Sequence, residues 1–482
     1  MIGETKQRAI RRFLQIEKRL DQDPNLRQQY ADFMQEYLEL GHMKCIGAAD
    51  DSTLDVGKTI RVHEDDTPLQ RILWRFSKSE PLQVFELLTV TYGLAPSSFL
   101  ATRVRKQLAL DSDRNYRLAS DAVQEDFYMD DFISGAKLID EAIELQGETQ
   151  ALMAEGGLEL RKWCSNKAEV LRNIPAESLG GESTLHFDNQ QRIKTLGVGW
   201  ETGPDQFCIE IQSAVEPERI TKRNIFSAIA KLYDPLGLVS PVVAWAKIRM
   251  QQLWVMNAAW DDPVPDDIKV KWNEFSSQLL YLEEYKVPRY LFLSDSSSVQ
   301  FHVFSDASEA GYGACIYARS TGMEGNVKIE LIAAKSRVAP LKRITLPRLE
   351  LCAALLGAKL YTKISTALRM ESTLWNRTSE IQKLTHDHSW NHVSGIDNPA
   401  DHISRGMLPK EFIASTNWRN GPPWLAQRED SWPKSSSEVP SEDLLERRKT
   451  VLLLQTHYFS ASRTAVNEGL IILNLHPPRF VN

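Results

Sequence analysis

The most constraining stretch is SVQFHVFSDASEAGYGACIYARS, residues 298–320, in which apolar and polar residues alternate on both sides of a polar, glycine-containing turn. Period-two alternation predicts two half-buried strands joined as a hairpin. NVKIELIAAKSRVAP, residues 326–340, continues the pattern as a third strand, and PRLELCAALLGAKLYTKISTAL, residues 347–368, changes to the helical period. Three meandering strands followed by an amphipathic helix form a compact α/β unit.

The rest of the chain is of the same mixed class. QRAIRRFLQIEKRL and the segment after Pro24 predict two helices ended at Gly41. IRVHEDDTPLQRILWRF and VFELLTVTYGL have strand composition, residues 136–174 predict a helix followed by LRKWCSNKAEVL, and IKTLGVGWETGPDQFCIEI predicts a strand or two, with ETGPD supplying the turn. Residues 221–260 read as helical with a break at YDPLGLVSP, and no internal repeat occurs. Beyond residue 411 the Trp, Pro and KSSSEVPSED content predicts a linker, followed by a short helix around EDLLERRKTVLLL.

At 482 residues the chain has room for roughly two to four domains of about 100–200 residues. A net charge of -7 argues against a wholly basic nucleic-acid coat, so contact with a polyanion must rest on local basic surface. The five cysteines are scattered without a C-x-x-C pair, which predicts reduced thiols and an intracellular location, cytoplasmic or nuclear. No apolar run reaches about 18 residues, so no membrane partner is expected.

Within EDFYMDDFISG, residues 125–135, Asp130 and Asp131 stand side by side between apolar neighbours. Adjacent carboxylates in a partly desolvated place repel each other unless a cation or a basic group offsets them. A hydrophobic strand into YMDD and out again predicts a hairpin with carboxylates at its tip. Two-metal phosphoryl transfer uses such a tip, with ions about 3.5–4 Å apart held by carboxylates from separate elements. By itself the tetrapeptide reads as an ordinary acidic turn.

The neighbouring segments resemble the reverse transcriptase of LTR retrotransposons, most closely the Bel/Pao group. TVTYGLAPSSFLATRVRKQLA (89–109) resembles the strand-to-helix segment before the catalytic hairpin, and GLELRKWCSNKAEVL the next palm element. KTLGVGW resembles the primer-grip hairpin, and TKRNIFSAIAKLYDPLGLVSPVVAWAKIRMQQLW the thumb-side segment. Farther on, FHVFSDASEAGYGACIYA and ITLPRLELCAALLGAKL resemble the first strands and helix of an RNase H domain. WNHVSGIDNPADHISRG resembles its closing segment, with Ser394 where proline is usual. NWRNGPPWLAQREDSWP resembles the linker that follows, and no His-His-Cys-Cys pattern comes after it.

The resemblance implies an α/β (α+β) architecture: a polymerase palm and thumb-like remnant, then an RNase H-like mixed sheet with helices. It implies segments at 1–44 (helical), 45–175 (truncated palm), 176–290 (primer grip, thumb and connection), 291–410 (RNase H) and 411–482 (linker and tail). It assigns Asp130 and Asp131 to the polymerase centre and Asp306, Glu350 and Asp401 to the RNase H centre, all as Mg2+ ligands, with RNA/DNA hybrid or primer-template as partner. Asp306 ends a strand, and Glu350 falls in the first turn of a helix carrying Pro347, so both are expected to face one notch.

Two departures bear on activity. Where the family places its first palm aspartate, this chain reads DDSTLDVGKTI, with Asp51 and Asp55 nearby but without the aromatic residue, the glutamine or the hydrophobic strand. After the RNase H helix, ALRMESTLWNRTSEIQKL omits the strand that carries the third carboxylate, and Glu371 is the only acid between. The expectation is a polyprotein fragment with impaired or lost catalysis; the alternative is a non-catalytic nucleic-acid-binding or assembly protein. His302, His386, His388, His392 and His402 lack tetrahedral ligand spacing and are assigned to surface or packing roles. Lys335, Arg337, Lys342, Arg343 and Arg348 suit a phosphate backbone or a solvated face equally, and only exposed tryptophans are free to stack on bases.

Overall fold

The computed structural model describes residues 6–46, 60–91, 93–180, 192–195, 197–211, 219–293, 296–368, 388–433, 453–456 and 471–474. The chain is mixed α/β and divides into two compact units, Met1–Leu185 with Asn467–Asn482, and His186–Val466. Among the described residues no helix is long and apolar enough to cross a membrane.

The first unit opens with the expected helix pair, α1 (Lys6–Leu20) and α2 (Pro24–Glu39). Asp23 caps α2 by accepting the Leu26 N–H, and Gly41 at φ 67° turns the chain into β1 (Met43–Cys45). β1 pairs with β3 (Gln83–Leu87), whose other edge takes β2 (Arg71–Trp74). Next come α3 (Ser97–Ser112), α4 (Arg117–Glu125), a hairpin of β4 (Phe127–Tyr128) and β5 (Asp131–Ser134), α5 (Ile139–Glu155) and β6 (Arg161–Ser165). Phe132, Leu152, Met153 and Trp163 fill the core between these helices and strands. Strand Ile471–Asn474 runs between β5 and β6, antiparallel to both.

The second unit begins with β7 (Arg192–Thr195), β8 (Val198–Glu201) and β9 (Gln206–Cys208), an antiparallel sheet that the later β10 (Lys286–Pro288) extends. ETGPD forms the β8–β9 turn, as its composition predicts. Helices α6 (Lys222–Lys231) and α7 (Ser240–Val255) flank the YDPLGLVSP break, and α8 (Asp266–Gln278) follows. The partly buried Asp234 carboxylate closes the break by accepting the N–H groups of Leu238 and Val239 at the start of α7.

The predicted meander is present as β11 (Ser296–Ala307), β12 (Gly311–Gly322) and β13 (Val327–Val338), with α9 (Leu346–Ala367) after it. Ala353, Ala354, Gly357, Ala358 and Tyr361 lie on the buried stripe of α9, with Leu349 and Glu350 toward its start and Ser365 toward its end. A Cβ at Gly357 would lie 3.0 Å from Val303 and 3.3 Å from Ala314, so the stripe owes its close approach to small residues. α7 covers the opposite face, where its Val242, Ala246 and Leu253 join Phe304, Tyr317 and Leu331 in the largest core.

After β14 (His388–Asn391), short helices α10 (Asp401–Arg405), α11 (Pro409–Ala414) and α12 (Thr416–Asn420) pack on this second face. The segment through Trp432, expected as a linker, is structured. Trp418 is fully buried, donates to the Leu238 carbonyl at 2.9 Å, and its own carbonyl accepts the Tyr317 hydroxyl at 2.7 Å. In place of the end of the predicted C-terminal helix, Leu453–Thr456 is a strand, β15, lying between β11 and β14. The rest of that predicted helix lies outside the described residues.

Candidate functional site

Strand pleating decides where the RNase H-like carboxylates point. Along β11, Val303, Ser305 and Ala307 face α9, so Phe304 and Asp306 face the other way, toward α10. α10 reaches the sheet because β12 has glycines beneath it. A Cβ at Gly313 would stand 2.3 Å from Ile403 Cγ2, and one at Gly311 3.3 Å from the Ser404 carbonyl. The glycines of GYG are thus the seat for the helix that carries Asp401.

Three hydrogen bonds hold that seat. Asn398 donates to the Ser305 carbonyl (3.1 Å), Ser308 to the Ser404 carbonyl (2.7 Å), and the Ser404 hydroxyl to Asp306 Oδ2 (2.5 Å). Burial pushes the Asp306 carboxyl up to about 6; the Ser404 bond opposes the rise, and the nearby Asp401 charge adds to it. Asp401, partly exposed, forms an ion pair with Arg405 one turn along α10 (Nε to Oδ1, 2.7 Å). Glu350 is buried on α9. Because α9 begins at Leu346, Glu350 lies in the second turn and not the first, on the helix that covers the opposite face.

The structure therefore brings Asp306 and Asp401 together. Among the described residues no three His, Cys, Asp or Glu side chains converge as a group able to hold a metal ion. Asp306 already accepts a serine hydroxyl and Asp401 is paired with arginine, so a metal ion at these two acids would compete with both contacts. Asp51, Asp55 and Glu371 lie outside the described residues.

In the first unit Asp130 and Asp131 stand at the tip of the β4–β5 hairpin, with Tyr128 paired to Asp131. Met129, first of the two turn residues, has φ 56°, a left-handed conformation that a non-glycine residue adopts at a cost of about 1–3 kcal/mol. Arg105 of α3 holds it: the guanidinium donates to the Met129 carbonyl and lies 3.9 Å from the centre of the Phe127 ring. Burial lowers Arg105 to about 10, and the Asp130 charge opposes that fall. Burial and the neighbouring Asp130 raise the Asp131 carboxyl, while Lys162 on β6 lowers it. The offset that an acidic pair requires is supplied here by Arg105 and Lys162. Sequence reasoning missed Arg105 and Lys162, and also Ser404 and Arg405, although the last two sit three and four residues after Asp401 on a helix.

The histidines serve packing and surface. His302 is fully buried against Trp432, has neither ring nitrogen bonded, and is driven down to about 3 by burial. His402 is half-buried beside Ser415, and His392 is exposed. His386 is outside the described residues, as is the side chain of His388.

Residues 221–379 match the family model of the Pao retrotransposon-like RNaseH-like domain. The match covers about a third of the chain. The match starts at Thr221, the N-cap residue of α6, and takes in Asp306 and Glu350, while Asp401, Asp130 and Asp131 lie outside it. No curated protein matches the chain. All five basic residues from Lys335 to Arg348 are exposed. On α7, Lys247 is lowered first by burial and then by the positive charge of Lys335, with Asp234 opposing and Arg337 adding to the fall, which places three basic groups near one another here.

Proposed function

We propose that the chain is a fragment of a Pao-type retrotransposon polyprotein whose RNase H-like region binds RNA/DNA hybrid and cleaves it poorly or not at all. The observation that carries this reading is the internal satisfaction of the two juxtaposed acids. Asp306 accepts the Ser404 hydroxyl and holds its proton up to about pH 6, and Asp401 is paired with Arg405. A metal ion would have to displace both interactions before it could polarise a phosphodiester. Supporting the binding half is the patch of Lys247, Lys335 and Arg337, extended by Lys342, Arg343 and Arg348, whose charge suits a phosphate backbone.

The reverse transcriptase part of the reading rests on the resemblance of residues 61–254 and on the YMDD hairpin. In that reading Asp130 and Asp131 are the remnant of the polymerase tip, now offset by Arg105 and Lys162, and do not support nucleotide addition.

The test is a titration of a fluorescent RNA/DNA hybrid at two salt concentrations, followed by incubation with Mg2+. Salt-dependent binding with the RNA strand left intact supports the proposal. Rapid cleavage that disappears in Asp306→Asn overturns the catalytic half, and binding that ignores salt overturns the other. Primer extension with Mg2+ that is abolished by Asp130→Asn would overturn the reading of the hairpin.

A further inference from the structure

Three aromatic side chains that a folded core would normally cover stand exposed together at the start of α6 and the end of α7. Phe226 is 51% exposed, Trp254 47% and Trp260 39%. They form one rigid group: Trp254 and Trp260 meet edge to face at 5.5 Å, as do Phe226 and Trp260 at 5.8 Å. The backbone beneath is fixed by the Thr221–Asn224 capping box, the Arg223 N–H donating to the Trp260 carbonyl, and the Val264 N–H donating to Ile220.

A cation lies behind the rings. Lys222 is 3% exposed, its ammonium 3.5 Å from the Trp254 centroid and 5.2 Å from that of Trp260, with the Ala258 carbonyl as hydrogen-bond acceptor at 3.1 Å. Among the described residues it has no carboxylate partner. Arg223 sits over the Trp260 ring at 5.7 Å and is bound bidentately to Asp261, whose charge the exposed Arg219 also faces; Asp262 beside them is exposed. A desolvated, unpaired ammonium under exposed indoles favours an occupant with both negative charge and flat aromatic rings.

We infer that Phe226, Trp254 and Trp260 form a stacking platform for the bases of single-stranded nucleic acid, with Lys222 and Arg219 supplying attraction for its phosphates. The platform rests on the nucleic-acid reading above but is a separate surface from the Asp306 site. Stacking is tolerant of sequence, because every base has a π-face.

Anisotropy of a fluorescein-labelled 20-nucleotide single strand and of the matching RNA/DNA hybrid, each titrated with the full chain, tests it. Trp254→Ala with Trp260→Ala is expected to weaken single-strand binding by about 30-fold or more, the loss of two stacked bases, and to leave hybrid binding within about twofold. Trp254→Phe with Trp260→Phe keeps π-faces and is expected to restore most of the affinity, which separates stacking from misfolding. Equal loss for both ligands, or no loss for the single strand, overturns the inference. So does a sedimentation result in which the alanine variant only converts a dimer to a monomer, since the patch is then a contact between copies. A chain that binds the single strand through the platform but not the hybrid would sink the hybrid proposal alone.

Discussion

Ser404 and Asp306, 98 residues apart in sequence, are joined by a 2.5 Å hydrogen bond inside the second unit. The hydroxyl donates to a carboxylate that is itself mostly buried, and the serine is delivered by a helix seated on Gly311 and Gly313. This bond ties the end of β11 to α10 and occupies one of the oxygens that a metal would need.

Because burial raises Asp306 to about 6, the acid lowers stability at neutral pH. Between the unfolded value near 4 and the folded value near 6, the folded chain holds a proton that the unfolded chain has released. Stability from this group is therefore full below about pH 4 and declines as pH rises through 6, by up to about 3 kcal/mol. Asp234, also raised to about 6, adds a decline in the same window. Asp306→Asn is expected to remove its share, so that the variant gains on the parent chain as pH goes from 4 to 8. Urea midpoints across that range measure it; parallel curves would show that Asp306 ionises normally.

Ser404→Ala takes away the donor that opposes the rise at Asp306. The expected result is an Asp306 carboxyl raised further and a loss of about 1.5–3 kcal/mol above pH 7, where the carboxylate is left buried without its bond. The loss should shrink in the Asp306→Asn background. A cycle of the two single variants and the double variant measures that coupling, and simple additivity would contradict the bond's role.

Gly313→Ala should unseat α10. The added methyl meets the Ile403 side chain at 2.3 Å and the Lys335 carbonyl at 2.8 Å, and overpacking of this kind costs about 1–3 kcal/mol. Ile403→Ala in the same chain relieves the first clash and leaves the second, so recovery should be partial. Carbon-13 titration of the Asp306 carboxyl gives a second readout, because moving Asp401 away removes one of the causes of its raised value.

Much of this was legible in the sequence, and the physical reasons differ by element. Alternation along 298–340 and the helical stripe of 347–368 specify β11–β13 and α9 locally, since each buries one face. The tip at Asp130 and Asp131 follows from two short apolar strands around a polar turn. The burial of Trp418 was not legible: its partners, Leu238 and Tyr317, lie 180 and 101 residues away, and nothing periodic in the Pro-rich segment announces them. Likewise VLLLQ suits a strand as well as a helix, and the slot between β11 and β14 decides. The sequence also grouped Asp306 with Glu350 and Asp401. Of these, hydrogen bonding joins Asp306 to the Asp401 helix through Ser404, while Glu350 is buried on α9.

The YMDD hairpin offers the last test, in the first unit. Met129 pays for its positive φ, and Arg105 secures the turn through the Met129 carbonyl and the Phe127 ring. Met129→Gly relieves the conformational cost without touching the carbonyl, and a gain of about 0.5–1 kcal/mol is expected. Arg105→Met keeps the bulk but removes the donor and the charge facing Asp130, with an expected loss of about 1–3 kcal/mol. If the lost charge matters as much as the lost bond, Asp130→Asn should recover part of the deficit and added salt should narrow it. Guanidinium would mask that dependence, so thermal melts at low and high NaCl are the appropriate measurement. Equal deficits at both salt concentrations, with no recovery in the double variant, would assign Arg105 to packing on Phe127 alone.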